Sequence, residues 1–289
     1  MSEPYNTVIY SYVSSNDSNF ITEENWYLLR HIKMIGKKMS MKFGFVHRSD
    51  FLWSTYRSMM RSKKLWRTDD DIRVAADLFY SNRAEAEEKY GHISDWDVSS
   101  VTDMSRLFCA KNLFNDDISR WDVSNVTNTS EMFNQAYEFN QAIGNWNVSN
   151  VTDMNNMFAG ANAFNQPIVD WDVSKVTNMH GMFGFSELFN QSIGNWDVSK
   201  VTNMSFMFCG AHAFNQPIGD WDVSNVTEMN GMFLDTLFFN QFIGNWNVSN
   251  VYNMSDMFCC ANAFNQDFCG LWDLSNVYKK DHMFGGKYW

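Results

Sequence analysis

The chain of 289 residues is 45% hydrophobic and 17% aromatic, enough for a packed core, which excludes a disordered polar chain. No apolar run approaches the roughly 18–20 residues of a membrane-spanning helix. The net charge of −11 is unevenly divided: residues 1–68 hold eleven Lys and Arg against five acids, and residues 69–289 hold eleven against twenty-eight.

The first twenty residues lack the basic start, apolar core and small-residue cleavage site of a secretory signal, so an intracellular location is the expectation. Over 22–35, TEENWYLLRHIKMI reads as a helix capped by Thr22, with Leu28, Leu29, Ile32 and Ile35 on one face. A second helix is expected over 50–66, its apolar face formed by Leu52, Tyr56, Met59 and Met60. Arg57, Arg61 and Lys64 fall at i, i+4, i+7 and form a basic stripe on that helix. Such a stripe is either a solvated face or a contact for nucleic acid or an anionic membrane surface. Residues 1–68 thus read as a basic, mostly helical region, and 69–95 as a helical cap. Acids at Asp69–Asp71 suit a helix N-terminus, with Ile72, Ala75, Ala76 and Phe79 on one face. A short second helix follows Ser81 and ends at Gly91.

From residue 96 to the end the chain repeats. Trp recurs every 25 residues from Trp96 to Trp246, and once more at Trp272 after a one-residue insertion, giving seven full units and a partial eighth. A period of this size marks a repeat architecture, in which each unit buries its apolar face only against the next. With Trp as position 0, apolar residues fall at 0, 2, 5, 8, 11, 12, 15, 18 and 22, as in Trp196, Val198, Val201, Met204, Met207, Phe208, Ala211, Phe214 and Ile218. The W-x-V spacing predicts a short extended strand, and the spacing of three after it predicts tight helical turns or bends. The fold expected for 96–289 is therefore a leucine-rich-repeat-like solenoid of short parallel strands and helical turns. Position 12 is Phe in every unit, position 18 is Phe in the seven full units, and Asn follows it each time, from Asn115 to Asn265. That Asn is expected to bond the turning backbone as a ladder, an exposed turn Asn being the alternative. Thr129 replaces the usual Met at position 8 and is expected to weaken the second coil. Alternate units share GANAFNQ-like wording (160–166, 210–216, 260–266), a period of 50 residues.

No metalloprotease, phosphate-loop or nucleophile-elbow motif occurs, so no catalytic residue and no cofactor is assigned, and the expectation is a non-enzymatic protein. Of the five cysteines, Cys109, Cys209 and Cys259 share position 13. At the coil spacing of about 4.8 Å the nearest two lie too far apart for a disulfide. The adjacent Cys259 and Cys260 are poor partners, so all five are expected free. The sequons at Asn125, Asn150 and Asn225 are part of the repeat wording. The binding candidates flank each Trp: Asp97, Asp122, Asn147, Asp172, Asp197, Asp222, Asn247 and Asp273 after it, and Asp95, Asp170 and Asp220 before it. Stacked carboxylates repel, so the stripe is read as having no stabilising role. It is either a solvated surface or a site for a basic protein partner or for Ca²⁺, which prefers oxygen ligands.

YGHISDWDVSSVTDMSRLF (90–108) and units such as FNQPIGDWDVSNVTEMNGMF (214–233) resemble the BspA-like leucine-rich-repeat surface proteins over about 70–289. That resemblance implies a right-handed, leucine-rich-repeat-like solenoid. It also implies adhesion or protein binding at a cell surface, with a protein or glycan as the ligand and no enzymatic role.

Overall fold

In a computed structural model of the chain, the described residues are 64–267 and 270–285. They fall in the compact unit Lys64–Trp289. The helices expected over 22–35 and 50–66 lie outside the described residues, except for the last residues from Lys64. Lys64–Thr68, assigned by charge to the N-terminal region, pack with the compact unit: Trp66 forms a parallel bridge to Asp97.

Two helices open the unit, α1 (Ile72–Ser81) and α2 (Arg83–Tyr90). Ile72, Ala75, Ala76 and Phe79 are buried at helical spacing and set the face by which α1 packs. Asn82 separates the helices, its N–H bonding Leu78 O to end α1 and its Oδ1 accepting from Glu85 N–H to cap α2. Phe79 meets Trp96 edge to face, 6.1 Å between ring centroids. Arg67 is 2% exposed, pairs with Asp71 at 2.8 Å and lies over the rings of Tyr90 and Trp96.

These segments complete the first coil, which has no coil before it. In inner coils the Thr N–H at position 6 donates to the Thr carbonyl of the preceding coil, as Thr127 does to Thr102 O at 2.8 Å. At Thr102 the Asp69 carboxylate takes that part, accepting from the Thr102 N–H and hydroxyl and from the Asp103 N–H. Arg73 Nη2 donates to Ser105 O at 3.0 Å, where inner coils receive an N–H from the coil before. Buried backbone groups need partners, and the cap supplies them by side chain.

The coils themselves hold one parallel bridge each, at position 7, running Asp103–Asn128–Asp153–Asn178–Asn203–Glu228–Asn253–Lys279. Among the described residues no longer strand and no helix occurs within a coil. The fold is a tandem-repeat stack, and the W-x-V segment is not a coil-to-coil strand. Trp196 and Val198 are both buried as expected. The chain turns directly after them, because Val201 N–H bonds Val198 O at 2.9 Å.

The spacing of three reflects two interleaved bond sets. In the fifth coil the N–H groups of Met204, Phe206, Phe208 and Gly210 donate to carbonyls of the sixth. Those of Met207, Cys209 and Ala211 donate three residues back, to Met204, Phe206 and Phe208. The chain thus makes tight turns and an inter-coil ladder at once, which no regular helix or strand does. Positive φ recurs at positions 10 and 14, for example Phe206 (57°) and Gly210 (66°), as the third residue of a type II turn requires.

The interior is columnar. Position 12 rings stack from coil to coil, Phe158 on Phe183 at 5.7 Å, and each also stacks on position 18 of its own coil, Phe183 on Phe189 at 3.8 Å. From Trp121 onward each Trp indole N–H of the repeat reaches the Ile carbonyl three residues before the preceding Trp, as Trp196 does to Ile168 O at 3.2 Å, while Trp96 donates to Gly91 O. The Asn column is a ladder: Asn190 Oδ1 accepts from the Asn215 N–H at 3.0 Å and from Gln216 Nε2 at 2.9 Å. Thr129 is buried, and its hydroxyl donates to Asp153 O at 3.3 Å, so it is satisfied. Among the described residues Cys109, Cys209, Cys259 and Cys260 are free; Cys269 lies outside them. Burial pushes the Cys209 thiol up to about 11, which suits an inert core filler.

Candidate functional site

A repeat compared with itself separates scaffold from cargo. Positions 0–3, 5 and 12 hardly change from unit to unit, nor do 18–20 and 22 in the full units, whereas 9, 10, 13, 14, 16 and 17 change freely. The near-invariant positions face the core or bond the backbone. The candidate binding stripe at position 1 is among them. Its residues stand in register and exposed, with Asn147 and Asn247 interrupting the acids. Each Oδ1 accepts from the Ser N–H two residues on, at 3.1 Å for Asp122, 3.2 Å for Asn147, 3.0 Å for Asp172, Asp197 and Asp222, and 3.1 Å for Asp97. This side-chain turn explains why only Asp and Asn occur there. It corrects the expectation that the stripe has no stabilising role, since the turn bond is local and the repulsion is screened by solvent. Hydrogen bonds from the Ser hydroxyl and N–H hold the carboxyls of Asp122, Asp172 and Asp222 below the usual range, and the Ser275 N–H does so first at Asp273. Asp170 and Asp220, just before a Trp, are exposed, as is Asp95 at the end of a 3-10 turn, Ile93–Asp95. Among the described residues no three of His, Cys, Asp and Glu converge as metal ligands. The sequon nitrogens are engaged: Asn125, Asn150 and Asn225 Nδ2 donate to the Ser99, Ser124 and Ser199 carbonyls.

The longest run of freely varying positions falls in the turn segment between positions 9 and 17 and forms an edge of the stack; position 21 varies as well, from Asp117 and Pro167 to Phe242. The edge carries the large exposed apolar residues Phe185 (60% exposed), Leu188 (58%) and Phe238 (63%). Phe206 is half-buried, with the His180 ring edge-on at 5.7 Å. Burial lowers the His180 pKa. His212 Nε2 lies 3.3 Å from Asp235 Oδ2, and Asn162 donates to Glu187 at 2.9 Å.

Packing also explains the 50-residue period. A side chain at positive φ lies over the same position of the following coil, which leaves no room there for a Cβ. A Cβ on Gly181 would meet Asn156 Oδ1 at 2.0 Å, one on Gly210 would meet Phe185 Cδ1 at 2.6 Å, and one on Gly231 would meet Phe206 Cε1 at 2.4 Å. A bulky residue therefore alternates with Gly along positions 10 and 14 through the middle coils. Toward the two ends position 10 carries polar pairs instead, the ion pair Arg106–Glu131 at 2.9 Å and Asp256 Oδ1 3.8 Å from His282 Nδ1. The repeating residues do not mark the edge; its signal in the sequence is the positions that fail to repeat.

These features define a tandem-repeat protein whose near-invariant positions build the stack and whose longest varying segment, positions 9–17, forms an edge. The chain belongs to the family described as "Mycoplasma protein of unknown function, DUF285", which matches it over 76–194 and again over 182–288. Comparison with curated proteins and with solved structures found no match. Among the described residues no helix is long and apolar enough to cross a membrane.

Proposed function

We propose that the chain is a non-enzymatic scaffold that binds another protein through the varying edge of a leucine-rich-repeat-like solenoid, in the manner of the BspA-like adhesion and protein-binding repeats. The observation that carries this reading is the exposure of Phe185, Leu188 and Phe238 within the longest varying segment of the repeat. Clustered exposed apolar side chains mark interaction surfaces, and solenoids vary on the face they bind with. The position 1 stripe has a turn to hold, so recognition is assigned to the edge instead. A photo-crosslinking residue placed at Leu188, and separately at Asp197, tests this in cells that produce the chain. A discrete covalent product with another protein is expected at Leu188 and not at Asp197. A product at Asp197 alone, or at neither, overturns the assignment.

A further inference from the structure

From position 9 to position 17, the second through seventh coils hold five acids (Glu131, Glu138, Glu187, Asp235 and Asp256) and no Lys or Arg. Elsewhere on the same coils cations do occur, as at Lys175, whose Nζ donates to Asn150 Oδ1 at 2.7 Å, and at Lys200. These two are the only Lys or Arg of the six coils, so the edge shares the acidic character of the whole stack and has no Lys or Arg of its own. Its apolar relief is stepped. Position 17 reads Ala163, Leu188, Ala213, Phe238 and Ala263 along the stack. The Ala213 N–H bonds Glu187 O at 3.1 Å and the Phe238 N–H bonds His212 O at 3.3 Å, which fixes Leu188, Ala213 and Phe238 on consecutive coils. Two coil spacings, about 10 Å, separate the Leu188 and Phe238 backbones, with the small Ala213 on the coil between two large exposed side chains. Glu187 and Asp235 stand on the two flanking coils.

We propose that the partner at this edge is a basic peptide segment of another protein, which places an aromatic or branched aliphatic side chain between Leu188 and Phe238 and pairs Lys or Arg with Glu187 and Asp235. The inference rests on the assignment of recognition to the edge and adds the chemistry of the partner. Apolar anchors supply affinity when desolvated, and complementary charge supplies steering and register. Glu187 accepts from Asn162 and Asp235 lies against His212, and each keeps a further carboxylate oxygen for an incoming cation; acidic segments meet like charge there, so the same edge discriminates against them.

The test uses the full chain to select from a displayed library of random short peptides. Enriched peptides are expected to be net positive and to contain an aromatic or branched aliphatic residue. Leu188→Ser with Phe238→Ser should weaken their binding by about tenfold or more, and Glu187→Gln with Asp235→Asn by about tenfold with a shallower salt dependence. Both double variants should melt with the parent, because all four side chains are at least partly exposed. Enriched peptides that are neutral or acidic, yet lose binding in the Leu188/Phe238 variant, overturn the basic-segment inference and leave the edge assignment standing. Enrichment that ignores both variants, or no enrichment, overturns both.

Discussion

The first coil and the inner coils meet the same need by different means. An inner coil hands each backbone group to an identical neighbour, so one residue type serves every position, as Asn does in the ladder from Asn115 to Asn265. The first coil has no such neighbour, and Asp69, Arg73 and Arg67 meet it with individual side chains from the cap. A second contrast runs across each coil, between turn positions that vary and core positions that do not. Both contrasts teach that sameness in this chain marks structural duty. Variation is itself constrained at positions 10 and 14, where a bulky residue on one coil requires Gly on the next.

The largest effect should come from the shared interior. Phe183 is buried between Phe158 and Phe208 and stacked on Phe189, so Phe183→Ala should lower unfolding free energy by about 3–5 kcal/mol in chemical denaturation. The cap should follow. Arg67→Ala removes a buried guanidinium and leaves Asp71 without its partner, an expected loss of about 2–4 kcal/mol. Retained stability there would mean that the first coil closes itself. Asn190→Ala strips the acceptor from the Asn215 N–H and the Gln216 amide and should cost about 1–2 kcal/mol.

The alternation of bulky residue and Gly gives a smaller and sharper test. Gly181 has φ of 59°, and Gly181→Ala also drives a Cβ into Asn156 Oδ1. The expected cost is about 1–2 kcal/mol from the backbone alone, with the clash added. Asn156→Gly in the same chain should recover the clash and leave the backbone part. Equal costs with and without that second change would disconnect the 50-residue period from packing.

Position 1 should respond to pH rather than to neutralisation. The folded carboxyls of Asp122, Asp172 and Asp222 are depressed by Ser hydrogen bonds. Their contribution is therefore present above the unfolded value near 4 and lost as pH falls through the folded values. Asn keeps the accepting oxygen, as Asn147 and Asn247 do. Replacing Asp122, Asp172 and Asp222 by Asn should thus leave the melting temperature at neutral pH nearly unchanged and reduce its fall below about pH 4.

Much of the fold was legible in the sequence because a stack copies its contacts. The Trp and Phe columns, the cap face of α1 and the Asn ladder could each be read from one unit and multiplied. The extended W-x-V strand was misread, because spacing alone cannot separate a paired strand from two inward side chains that precede a turn. The Gln beside each ladder Asn went unassigned, since its partner is set by register between coils. Arg67 entered only the charge count of residues 1–68, and nothing in its local sequence reveals the two rings above which it sits. The edge carried a signal of the opposite kind, variation, which a search for repetition passes over.

The division between stack and edge is tested most directly by two triple variants measured side by side for melting temperature and for crosslinking from a reporter at Ala213. One carries Phe185→Ser, Leu188→Ser and Phe238→Ser; the other carries Asp172→Asn, Asp197→Asn and Asp222→Asn. Both should melt with the parent at neutral pH, and only the first should lose the crosslinked partner. An edge variant that keeps its partner while the Asp variant loses it would contradict the account.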